Sequence, residues 1–135
     1  MKTRAIIITM INLSLLIFWG FAMPPSGWAE AEPYYKGKTI RIVVGLSPGG
    51  GYDRAARLVS RYMGQYIPGT PSMLVQNMAG ASSVIAANYV YGVAKADGLT
   101  LLAPHNNIYL NQLTGGAEVK FDMRKFHWIG ASEKD

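Results

Sequence analysis

Apolar and polar positions follow two periods in turn along the chain. Thr39-Ile-Arg-Ile-Val-Val-Gly45 is β-branched and mostly apolar, bounded by Gly37 and Pro48, which predicts a largely buried strand. After a glycine-rich stretch the period lengthens. Ala55, Leu58, Val59, Tyr62, Met63, Tyr66 and Ile67 follow i, i+3, i+4 spacing, with Arg54, Arg57 and Arg61 on the opposite face. That spacing predicts an amphipathic helix with its apolar side toward a core, stopped by Pro68-Gly69.

The unit then recurs in kind though not in sequence. Ser72-Met-Leu-Val-Gln76 predicts a short strand, Asn77-Met-Ala-Gly80 a turn, and residues 82–94 a second helix. This helix carries Val84, Ile85, Ala86, Ala87, Tyr89, Val90 and Val93, so it is apolar almost all round and expected to be buried on more than one side. Asp97-Gly98 turns into a third strand, Leu99-Thr-Leu-Leu-Ala103. Strand, helix, strand, helix, strand with short connections predicts right-handed crossovers and an α/β fold, its mostly parallel sheet flanked by helices on both faces. Beyond Asn107 the pattern weakens to a helical turn at residues 108–113, an extended piece at 118–121 and the start of another strand at 126–131.

The amino terminus has a different grammar. Lys2 and Arg4 precede a nearly continuous apolar run from Ala5 to Phe21; Met23-Pro-Pro-Ser-Gly27 then breaks any helix before Ala29-Glu-Ala31. This is the layout of a secretory signal peptide cleaved after Ala31, leaving residues 32–135 as one exported domain. An uncleaved anchor is the alternative, since the run approaches the lower limit of about 17 residues for a spanning helix. The chain has no cysteine, which excludes disulfides, thiolate metal sites and a lipid-modified cysteine, and fits a soluble monomer of the periplasm. The formal charge of +5 includes Lys2 and Arg4 of the presequence. The three arginines of the first helix read as a solvated face, and no nucleic-acid motif accompanies them.

Ligands of parallel sheets bind beyond the carboxyl ends of the strands, which points to three loops. The first contains Ser47, Pro48, Gly49, Gly50, Gly51 and Asp53; its glycines bring backbone N–H groups close to a ligand at a helix start, where an anion is favoured. Asp53 reads as a helix cap in preference to a ligand contact. A phosphate loop is excluded because no Lys-Ser or Lys-Thr follows the glycines, and a dinucleotide fingerprint because G-x-G-x-x-G is absent. The second loop, with Ala79, Gly80, Ala81, Ser82 and Ser83, repeats the arrangement and adds hydroxyls, the bland reading being a Ser N-cap. The third offers His105 and Asn106 at the same edge, with capping by Asn106 or Asn107 as its bland reading. Catalysis has little support: the only histidines are His105 and His127, and neither G-x-S-x-G nor H-E-x-x-H occurs. Ser47 or Ser82 with His105 as base lacks a third, orienting residue. No enzyme activity, metal or cofactor is expected.

Tyr35-Lys-Gly-Lys-Thr-Ile-Arg-Ile-Val-Val-Gly-Leu-Ser-Pro-Gly-Gly-Gly-Tyr-Asp53, then Ala56-Arg-Leu58, resembles the solute-binding receptors of tripartite tricarboxylate transporters, the Bug family. Val75-Gln-Asn-Met-Ala-Gly-Ala-Ser-Ser83, Ala86-Ala-Asn-Tyr89 and Ala96-Asp-Gly-Leu-Thr-Leu-Leu102 resemble the family's following segments in order and spacing. The resemblance implies a periplasmic receptor of the two-lobed, Venus-flytrap type that closes around a small carboxylate and delivers it to membrane permease subunits. It also implies that the loops holding Ser47 to Asp53 and Ala79 to Ser83 grip the carboxylate. Two departures stand out: Ala79 replaces a proline and Ser82-Ser83 replace glycines of the family pattern. By the same resemblance the chain matches only the amino-terminal part of a first lobe, so it reads as a truncated receptor. A short free-standing envelope protein that binds or regulates with this lobe alone is the alternative.

Overall fold

The computed structural model describes residues 31–131, so the signal-peptide and cleavage readings lie outside the described residues. In chain order come β1 (Thr39–Val44), α1 (Gly51–Met63), β2 (Ser72–Asn77), α2 (Val84–Gly92), β3 (Thr100–Ala103) and α3 (Ile108–Leu113). Single 3-10 turns occupy Gly64–Tyr66, Ala81–Ser83 and Met123–Lys125. The strands form one parallel sheet in the order β2-β1-β3, as the alternating pattern predicts. Thr39 stands opposite Ser72 and Val44 opposite Asn77 on one side, while Arg41 stands opposite Thr100 and Val44 opposite Ala103 on the other. β1 is therefore central, which is why Ile40, Ile42, Val43 and Val44 are all buried.

Alternation along β1 divides the core between two faces. Ile42 and Val44 pack with Ala56 of α1, surrounded by Tyr52, Met73, Val75, Leu101 and Ala103. On the opposite face Val84 and Ala87 of α2 pack with Ile108, Phe121 and Met123, joined by Leu102, Val119 and Phe126. Residues 118–121 are extended in sequence pattern but form no strand. The side chain of Asn88 substitutes for a strand partner, donating to the Glu118 carbonyl at 2.8 Å and accepting the Lys120 N–H at 2.8 Å. Residues 126–131 likewise form no strand, and Trp128 and Ile129 stand exposed.

Two further expectations are corrected. The apolar stripe of α1 does not face the sheet: the buried residues of that helix are Asp53 and Ala56, while Leu58, Val59 and Tyr62 are about half exposed and Tyr66 is 80% exposed. The helix turns its Asp53 and Ala56 side to the sheet, where Ala56 packs on Ile42 and Val44. α2 begins at Val84 rather than Ser82, because Ser82 (φ 49°) and Ser83 (φ 77°) are left-handed. Its burial is also one-sided, with Val84, Ala86 and Ala87 inside and Ile85 half exposed. Among the described residues no helix is long and apolar enough to cross a membrane.

Candidate functional site

The loops that follow β1, β2 and β3 converge because all three strands run the same way and end level at Val44, Asn77 and Ala103. In the first loop Ser47, Pro48, Gly49, Gly50 and Gly51 are exposed. Gly49 has φ 84°, a backbone that L side chains rarely adopt, and Gly50 is the extended residue from which α1 starts. The first turn of α1 thus offers amides that have no partner inside the helix.

The expectation that Asp53 caps the helix is corrected: Gly50 holds the N-cap position with no side-chain cap, and Asp53 lies inside the first turn. The Asp53 carboxylate turns inward and back. It accepts the Gly49 N–H at 2.8 Å, the Asn77 side-chain amide at 2.9 Å and Arg57 Nε at 3.0 Å. Asn77 also donates to the Leu46 carbonyl at 3.0 Å and accepts from Arg57 at 3.1 Å. One buried carboxylate therefore fixes the shape of the first loop, and Asn77 ties that loop to the end of β2. The Arg57 guanidinium, the Gly49 amide and Asn77 hold the Asp53 carboxyl well below the usual carboxylate range. The ion pair leaves little net negative charge to repel an anion at the helix start.

The second loop is more unusual. Gly80 has φ 142°, and Ala81, Ser82 and Ser83 follow with φ 45°, 49° and 77°, three consecutive non-glycine residues in the left-handed region. Such a run costs about 1–2 kcal/mol per residue for L side chains. Ser83 is completely buried, donating to the Gly45 carbonyl at 3.2 Å and accepting the His105 N–H at 2.8 Å. It occupies the N-cap position of α2 without capping it, since its hydroxyl is spent between β1 and the third loop. Ala79, Ala81 and Ser82 are exposed and Gly80 half-buried, so Ser82 holds the hydroxyl of this loop that is turned to solvent.

The third loop is pinned from both sides. His105 is bonded through its backbone to Ser83, and its ring lies 5.4 Å from that of Tyr52. The Tyr52 hydroxyl accepts the Asn106 N–H at 3.2 Å. His105 Nδ1 accepts the Asn107 N–H at 3.1 Å, which places the proton of the neutral ring on Nε2. Asn107 sits at the N-cap position of α3 without a side-chain cap.

The structure therefore gathers Ser47, Pro48, Gly49, Gly50, Gly51, Gly80, Ala81, Ser82, His105 and Asn106 along one edge, whereas the side chains of Asp53 and Ser83 are committed inward. Tyr52 and Asn77 escape the sequence reading, though each joins two of the loops. An aromatic directly after a glycine run was the available signal for Tyr52; Asn77 reads only as a turn residue.

At the opposite edge, near the amino ends of β1 and β3, a depression of about 360 Å³ is lined by Thr39, Arg41, Leu74, Tyr89, Lys95 and Asp97, among others. It contains none of the loop residues. Arg41 donates to the Tyr89 hydroxyl there at 3.2 Å.

No family model matches the chain, and no curated protein matches it. Among solved structures it is similar to one described as the structure of a periplasmic transporter, with 38% identity and a TM-score of 0.43. That likeness covers 50% of this chain and 22% of the transporter chain.

Proposed function

We propose that this chain is a binding module for a small di- or tricarboxylate, the ligand-holding part of a periplasmic receptor that serves a tripartite tricarboxylate-type transporter. One observation carries the reading: two glycine- and serine-rich loops, each leading into a helix start, lie side by side at the carboxyl edge of a parallel sheet. The helix starts favour an anion by about 0.3–1 kcal/mol each at exposed positions. The amides of residues 50–52 and the lip of the second loop receive one carboxylate, with the Ser82 hydroxyl and His105 Nε2–H as further donors. Binding is favoured over chemistry because His105 Nδ1 is already engaged by the Asn107 N–H, and among the described residues neither Ser47 nor Ser82 is hydrogen-bonded to His105. The sequence resemblance supports the same ligand class and the hand-over to membrane permease subunits.

The test is a titration of the isotope-labelled chain with citrate and with succinate, followed by amide NMR. The expected result is progressive shifts of the Gly50, Gly51, Tyr52, Ser82 and His105 signals, with smaller shifts for the uncharged analogue trimethyl citrate. Shifts scattered over the surface, or equal for citrate and its ester, would overturn the proposal.

A further inference from the structure

Arg41 stands on the central strand, opposite Leu74 of β2 and Thr100 of β3, where a parallel sheet ordinarily places an apolar residue. It is half-buried, and the one hydrogen bond its guanidinium makes among the described residues runs from Nη1 to the Tyr89 hydroxyl at 3.2 Å. Nε is closed off from solvent and has no acceptor, and Arg41 is in no ion pair among the described residues. A guanidinium has five N–H donors and keeps its charge at any ordinary pH. Partly withdrawn from water with most of those donors unmatched, it is in an unfavourable state that an arriving oxyanion relieves.

The guanidinium lines the depression of about 360 Å³ at the amino edge of the sheet. That volume lies at the lower end of small-molecule sites, and the hollow is bounded by the end of α2 on one side and the turn before β3 on the other. Lys95 is a second cation in the lining, also in no ion pair among the described residues. Asp97 is the opposing charge, its Oδ1 accepting the Leu99 N–H at 3.0 Å. Two cations and one carboxylate leave a single positive charge in excess, so one negative charge balances the lining and a second is unmatched. Leu74 and Val93 stand exposed in the same wall, apolar surface that a short hydrocarbon tail can cover.

We propose that this depression is a second binding site, apart from the three loops, for a small monocarboxylate with a short apolar tail. The carboxylate pairs with Arg41 and is supported by Lys95, the tail lies along Leu74 and Val93, and Tyr89 holds the guanidinium in place.

The experiment follows the Arg41 Nε–H signal and the backbone amides of the full isotope-labelled chain by NMR during titration with hexanoate. The Arg41 Nε–H, Tyr89, Lys95 and Thr100 signals are expected to move along one saturating curve while Gly50, Gly51 and Ser82 stay in place. Hexanamide, with the same tail and no charge, and succinate, with a second charge, are each expected to bind about threefold more weakly or worse. Lys95→Gln, at an exposed position, is expected to weaken hexanoate binding about threefold. Arg41→Lys, which keeps the charge and loses the planar fork, is expected to weaken it about tenfold. Equal shifts with hexanamide, no loss with Lys95→Gln, or hexanoate shifts centred on the loops would overturn the proposal. So would tighter binding of the tripeptide acetyl-Leu-Glu-Leu-amide than of hexanoate, since the hollow would then receive a carboxylate of a polypeptide segment. Hexanoate and citrate report on opposite edges of the sheet, so the depression and the loops succeed or fail independently.

Discussion

The Ser83 hydroxyl donates to the Gly45 carbonyl at 3.2 Å, and it fits there only because residue 45 has no side chain: a Cβ on Gly45 would lie 2.3 Å from Ser83 Oγ. The same hydroxyl receives the His105 N–H, so one buried serine links the end of β1, the start of α2 and the third loop. Its hydrogen bonds offset the unfavourable φ that a serine carries at this position.

Gly45→Ala is expected to destabilise the fold by about 1–3 kcal/mol through overpacking. Ser83→Gly is expected to cost about 1–3 kcal/mol by leaving buried backbone groups unpaired, less what it regains from the left-handed backbone. Because the two sites touch, the double variant Gly45→Ala, Ser83→Gly should be less destabilised than the two single changes added together, with a coupling of about 0.5–3 kcal/mol. Urea unfolding of the four proteins measures this, and strict additivity would contradict the contact.

Ser82 has a left-handed backbone like Ser83 but an exposed side chain with no hydrogen-bond partner among the described residues. Ser82→Gly is therefore expected to raise stability, by about 0.5–1 kcal/mol after allowing for the extra freedom of glycine in the unfolded chain. If the hydroxyl contributes to anion binding, the same substitution weakens citrate binding while stabilising the fold. Thermal melting and calorimetry on one sample pair separate the two effects.

Asp53 and Asp122 are both held below the usual carboxylate range, first by the side-chain hydrogen bonds of Arg57 and Arg124 respectively. A depressed carboxyl stabilises the fold above its unfolded pKa of about 3.9, and that stability is lost as pH falls through the lower folded value. The urea midpoint of the parent is expected to drop steadily below about pH 4. Asp53→Asn should lower the midpoint at neutral pH and flatten the acid limb; an unchanged slope would show that the ion pair contributes no pH dependence.

Tyr52→Phe removes the acceptor of the Asn106 N–H while keeping the aromatic ring beside His105. Hydrogen exchange at the Asn106 amide is expected to quicken about tenfold, equivalent to about 1.4 kcal/mol of local protection, with global stability little changed. Protection that stays intact would mean the third loop is held by Ser83 alone.

Local pattern was enough to determine much of this protein. The β-branched runs, the helical spacing and the Gly- and Asp-containing turns define three strands and two helices, and short crossovers make the sheet parallel, so the edge that holds the loops is readable without coordinates. These features depend on neighbours in sequence, where period and backbone preference act directly. Only the tertiary structure decided which side of each element is used. α1 meets the sheet with its Asp53 and Ala56 side, leaving Leu58, Val59 and Tyr62 outside, and Asn88 captures residues 118–120 that a strand would otherwise pair. Asp53 and Ser83 read as a cap or a ligand contact because their residue types suit both. Their inward commitment to Asn77, Gly45 and His105 depends on groups 24, 38 and 22 residues away, a separation over which periodicity carries no information.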